Sequence, residues 1–187
     1  MQKLLLLALL FLAFARLKCV EECEGPEVAL KINQTETAHI DNRGAEAVVL
    51  APGANGFLSA YGFRLSTFVA VRNQADTAGV ECPYFVLSPA ATDCRIFTLT
   101  GLGDHPPGTD VSDLFRFADR SRSPLRYQAT VDAAPAISGI WSFYQATDFD
   151  FLLVQPPAMA GWQQFELRLS QSDTTILSVT TDSIFLQ

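Results

Sequence analysis

His39 and His105 are the only histidines in the chain, so acid–base chemistry near neutral pH has to begin with one of them. His39 stands two residues before Asp41. On a strand that spacing puts both on one face, a base beside a carboxylate able to orient it. No Gly-x-Ser-x-Gly elbow offers a serine nucleophile to complete a triad. A second cluster lies in GLGDHPPGTDVSD, where Asp104, His105, Asp110 and Asp113 stand among glycines and prolines. Hard oxygen donors of this kind suit calcium. The spacing is not that of an EF-hand, and Asp110 and Asp113 serve equally as turn or cap residues. No metal site is assigned, and Asp104, Asp110 and Asp113 are the candidates held in reserve. In DFDF, Asp148 and Asp150 leave one strand face and Phe149 and Phe151 the other. Paired carboxylates are glycosidase chemistry in principle, and a solvated strand face explains them more simply.

Four cysteines remain: Cys19, Cys23, Cys82 and Cys94. Cys-x3-Cys with Cys-x11-Cys matches no common zinc knuckle. An even number of cysteines in an exported chain reads as two disulfides. Export itself follows from the start, MQKLLLLALLFLAFA. Lys3 is followed by an apolar run from Leu4 to Phe14, too short for the roughly 20 residues of a spanning helix. It ends in Ala13-Phe14-Ala15, a small-residue cleavage pattern, so residues 1–15 read as a secretory signal peptide. The sequon Asn33-Gln34-Thr35 then reads as a glycosylation acceptor. No later stretch is apolar enough to span a membrane.

Removing 15 residues from 187 leaves 172, the size of one β domain over residues 16–187. Losing Lys3 from 13 basic residues leaves 12 against 20 acidic ones, a net charge near −8, and only Lys18 and Lys31 of the twelve are lysines. Such a surface repels phosphate backbones and anionic membranes, which argues against nucleic acid as a partner. The local exception is FRFADRSRSPLRY, with Arg116, Arg120, Arg122 and Arg126. It reads as a solvated turn, with an anion-binding patch as the alternative.

The elements that must position these residues are strands. VALKI alternates Val28, Leu30 and Ile32 against Ala29 and Lys31. YGFRLSTFVAV sets Tyr61, Phe63, Leu65, Val69 and Val71 on one face. LRYQATVD does the same with Tyr127, Ala129 and Val131, and QFELRLS with Phe165, Leu167 and Leu169. Period two with one wet face marks antiparallel sheets, and turn clusters such as APGANG and GDHPPGTD separate the runs. No long segment keeps a helical period. The reading is all-β: an antiparallel, jelly-roll-like β-sandwich stapled by disulfides.

PYFVLSPAATDCRIFTLT at 83–100 has an echo in FLLVQPPAMAGWQQFELRLS at 151–170. Whether or not it is a duplication, it reads as two similar hairpins. In a hairpin around PAATD, Cys94 falls near Leu87 and Cys82 lies roughly 17 Å further on at ~3.3 Å per residue. A bridge needs Cα atoms within about 7 Å, so this geometry favours long-range staples from Cys19 and Cys23. The pairing of Cys19 with Cys23 and Cys82 with Cys94 stays open, if residues 82–94 form a compact loop.

The signal peptide, the early sequon, the PYFVLSP strand and the following Phe-x-Leu strand resemble secreted CUB and CUB-like β-sandwich domains. That resemblance implies extracellular binding rather than catalysis. The last third gathers Trp141, Phe143, Tyr144, Phe149, Phe151 and Trp162. Core packing is the default for these aromatics, and Trp141, Tyr144 and Trp162 are the ones that would form a ligand surface if exposed. The expectation is a secreted, non-enzymatic binding protein without cofactor, whose partner is an extracellular protein or glycan. The alternatives are a secreted hydrolase using His39 and Asp41 or the 104–113 carboxylates, and a structural matrix component.

Overall fold

The computed structural model describes residues 27–71, 84–120, 126–138, 147–156 and 160–187. The N-terminal apolar run, Cys19, Cys23, Cys82, Arg122, Trp141, Phe143 and Tyr144 lie outside those residues.

Alternating side chains build the strands as expected. β1 (Glu27–Asp41) and β3 (Tyr61–Val71) pair antiparallel along most of their length. Ile32 opposes Val69 and Gln34 opposes Phe68, so Asn33 is an extra, bulged residue. The bulge shifts the parity of β1. Leu30 and Ile32 before it, and Thr35, Thr37 and His39 after it, therefore share the face of Tyr61, Phe63 and Leu65. β8 (Thr147–Leu153) follows on the other side of β3, then β6 (Phe115–Asp119) and β7 (Tyr127–Ala129). The far edge of β1 is shared by two short strands. β2 (Val48–Val49) lies antiparallel beside Ile40–Asp41, and β4 (Tyr84–Leu87) parallel beside Glu27–Leu30.

A second sheet has the order β11-β10-β5, from β5 (Ala91–Thr98), β10 (Phe165–Gln171) and β11 (Ile176–Thr180). β9 (Gly161–Gln163) and β12 (Ile184–Leu186) form a separate two-stranded ribbon. Every pairing except β1–β4 is antiparallel. The chain is all-β, as its patterning implies.

One apolar cluster fills the space between the two larger sheets, with Phe63, Phe117, Phe149 and Phe151 on one side and Ile96, Phe165, Leu167 and Leu169 on the other. Phe165 crosses the gap. Its ring lies 5.3 Å from Phe115, 5.8 Å from Tyr61 and 6.2 Å from Phe63. At Gly62 the backbone of β8 approaches so closely that a Cβ would sit 2.6 Å from the Phe151 carbonyl oxygen.

Three local expectations are corrected. PYFVLS and CRIFTLT do not form a hairpin: β4 joins β1 in the large sheet, and β5 joins β10 in the small one. The placement of Cys94 beside Leu87 falls with it. The second half of the echo is no hairpin either: β8 lies in the large sheet and β10 in the small one, with β9 of the ribbon between them in the chain, and β5 and β10 pair with each other. In LRYQATVD the inward set is reversed, with Tyr127 and Val131 52% and 47% exposed and Thr130 buried. β7 is only three residues long, and Thr130–Asp132 turns into a five-residue helix, α1 (Ala133–Ile137). The helix was not foreseen from AAPAI. Pro135 is tolerated because it sits in the first turn, where its missing N–H has no intrahelical acceptor to lose.

Candidate functional site

His39 and Asp41 share a strand face but do not form a pair. His39 Nδ1 lies 3.0 Å from the Tyr61 hydroxyl, and Nε2 lies 3.0 Å from the Asp182 carbonyl oxygen. A carbonyl can only accept, so Nε2 carries the hydrogen and the Tyr61 hydroxyl donates to Nδ1. Asp41 instead takes a bidentate fork from Arg43, with Nη2 to Oδ2 at 2.6 Å, and that partner holds its carboxyl below the usual range. His39 thus ties β1 to the segment beyond β11, beside the Thr37 hydroxyl bond to the Thr180 carbonyl at 3.3 Å.

Burial lowers the His39 pKa below 6.5, against the opposing pull of the Asp182 carbonyl and carboxylate. A group with a depressed cationic pKa binds fewer protons folded than unfolded, so the folded state loses stability as pH falls below about 6.5. Urea midpoints at pH 7.5 and pH 5.0 should therefore drop more for the wild type than for His39→Gln. Equal drops would mean that His39 is not held neutral.

Around the 104–113 loop the carboxylates go to structural tasks. Leu102 and His105 exchange both backbone hydrogen bonds, placing Asp104 in the exposed turn between them. Asp110 accepts from the Ser112 backbone N–H at 2.9 Å and from its hydroxyl, and pairs with Arg95 at 3.3 Å. Burial raises its pKa, but the Ser112 bonds and Arg95 outweigh that and hold the carboxyl below the usual range. Among the described residues no group of three or more His, Cys, Asp or Glu side chains is placed to hold a metal ion.

Asp148 and Asp150 do leave the outer face of β8, but they are not free carboxylates. Asp148 accepts from Ser66 at 2.7 Å. Asp150, 3% exposed, is clasped by Arg64 at 2.7 and 3.2 Å and by Arg120 at 3.0 Å. The arginine cluster divides accordingly. Arg120 belongs to this triad, Arg116 donates to the Asp113 and Phe115 carbonyls, and Arg126 is exposed.

Of the aromatic candidates, Trp162 is 64% exposed on the β9–β12 ribbon, and Phe185 of β12 meets it edge to face at 5.6 Å. Trp141 and Tyr144 lie outside the described residues. Phe149 and Phe151 are in the core. Cys94 faces the core of β5 and has no sulfur partner among the described residues, and burial pushes its thiol up to about 12. The sequon asparagine, Asn33, is the exposed bulge of β1.

A feature not foreseen from the sequence is a groove of about 530 Å³ between β5 and the start of β6, with Arg95, Asp113, Arg116 and Val131 in its walls. Arg95 belongs to the small sheet, Arg116 to the large one and Val131 to the turn after β7, so only the packing of the two sheets brings them together, and local spacing carries no trace of it.

Fold and site together describe an all-β protein with two sheets on one core, a presented indole, and polar groups mostly spent on one another. No family model, curated protein or solved structure matches the chain. Among the described residues no helix is long and apolar enough to cross a membrane.

Proposed function

We propose that the protein is an exported, non-enzymatic binding module of the extracellular space, a jelly-roll-like, disulfide-stapled sandwich of the CUB-like kind. Its partner is an extracellular protein or glycan, and its acidic balance disfavours nucleic acid. The observation that carries this is Trp162. A tryptophan presented at 64% exposure and braced by Phe185 is of the residue type most enriched among the anchors of protein interfaces. The competing hydrolase reading needs His39 and Asp41 to act together, and each is bonded elsewhere. Export is supported by the apolar start and by Asn33, whose bulged, exposed position is open to a glycosylating enzyme.

Expressed in a eukaryotic secretory host, the chain should reach the medium beginning at Arg16, with a glycan on Asn33. Used as bait in extracellular fluid, it should retain a partner that Trp162→Ala does not. Retention of the chain inside the cells would overturn export, and Met1 on secreted material would overturn cleavage before Arg16. Equal capture by wild type and variant would overturn the binding surface.

A further inference from the structure

We propose that the groove between β5 and β6 binds an acidic monosaccharide unit, its carboxylate held by Arg116. This rests on the binding reading above and names a second site for it. Arg116 is the cation that sets the chemistry. Its Nη1 donates to two carbonyls, Asp113 at 3.1 Å and Phe115 at 2.9 Å, which fixes the guanidinium in place. No carboxylate pairs with it, and its Nη2 and Nε have no partner among the described residues. A guanidinium fixed on one edge and open on the other is prepared for a bidentate oxyanion. This happens in a chain with 20 acidic and 13 basic residues, where carboxylates are in surplus for every arginine.

Across the groove Arg95 is held by two carboxylates instead, Nε to Asp93 at 2.9 Å and Nη1 to Asp110 at 3.3 Å, and its Nη2 has no partner among the described residues. Arg95 stands directly opposite Arg168 in the β5–β10 register, and each is balanced by its own carboxylate, Asp93 and Glu166. The remaining walls restrict the ligand. The Asp113 side chain is exposed and its carboxylate has no partner among the described residues, so it accepts from hydroxyl groups and repels a second anion. Val131, 47% exposed, offers an apolar wall to the C–H face of a pyranose. One anionic group, hydroxyls on one side and an apolar face on another describe an acidic sugar better than a phosphate or a poly-acidic peptide. The volume is within the roughly 300–1,000 Å³ of small-molecule sites.

The full chain should be titrated by NMR with glucuronic acid and N-acetylneuraminic acid, with glucose, acetate and a tetraglutamate peptide alongside. The acidic sugars should shift resonances of Arg95, Arg116 and Val131, and Arg116→Gln should weaken them by about tenfold or more, the scale of one charge-assisted fork. Val131→Asp, at an exposed position, should abolish binding while leaving the thermal midpoint in place. Glucose binding as tightly as glucuronic acid, acetate or the peptide matching the sugars, or silence from every probe would each overturn the proposal. A silent groove with a Trp162-dependent partner would leave the binding reading standing and remove only this site.

Discussion

Replacing Phe165 by alanine is expected to destabilise the fold by about 3–5 kcal/mol, the range for deleting a buried aromatic ring. The ring is fully buried and is the small sheet's contact with three aromatics of the large sheet and its flank: Tyr61, Phe63 and Phe115. Its removal opens a cavity between two sheets that, among the described residues, no backbone hydrogen bond joins at that point, so neither side can close it without leaving the other. Urea denaturation monitored by far-UV circular dichroism measures the effect. A cost under about 1 kcal/mol would mean that the sheets are joined elsewhere.

The second large effect belongs to Asp150. Removing one partner of a buried ion pair strands the other charges, and costs of about 3–5 kcal/mol are usual for fully buried pairs. The Asp150 side chain is 4% exposed, with Arg64 at 14% and Arg120 at 26%, so water relieves part of the penalty. Asp150→Asn should therefore cost about 3 kcal/mol. Asp148→Asn, which disturbs a single bond to Ser66, should cost only about 1 kcal/mol. Urea midpoints of the two variants make the comparison internal. Equal costs would show that Arg64 and Arg120 find other partners, and that the triad is not what fastens β3 to β8 and the end of β6.

How much of this was legible in the sequence depends on the range of the interaction. Inward sets such as Tyr61, Phe63 and Leu65, or Phe165, Leu167 and Leu169, follow from period two because the pleat itself dictates them. Partner choice does not. Nothing in PYFVLSPAATDCRIFTLT says that its halves part to different sheets, since each half satisfies the same alternation whichever strand it meets. The shortness of β7 defeats the reading of Tyr127 and Val131: the strand ends at Ala129, and Val131 lies in the turn Thr130–Asp132, where period two no longer sets which side chain faces inward. The same limit applies at the sites. His39 and Asp41 have the spacing of a pair, yet Arg43 takes Asp41 from two residues away and Tyr61 and Asp182 take His39 from remote segments that spacing cannot weigh. The groove is half legible: Arg116 and Asp113 stand out in the sequence, but in separate clusters, and nothing local shows that they meet each other, Arg95 and Val131. Core packing is the default for Trp162 from sequence, and its exposure is not legible in GWQ, where the buried member is the polar Gln163.

The ribbon of β9 and β12 has a consequence for synthesis. Gly56 and Phe185 are joined by a backbone hydrogen bond at 2.9 Å, the Leu58 N–H reaches the Gln187 carbonyl at 3.0 Å, and His39 is fastened to Asp182. The amino-terminal half therefore cannot complete its packing until residues 182–187 exist, although β1 and β3 can pair long before. A ribosome making the chain one residue at a time holds a half-built sheet with its phenylalanines bare. Closure therefore waits for residues 182–187 to reach segments more than a hundred residues earlier, and is set by that long-range pairing rather than by how quickly any one hairpin forms.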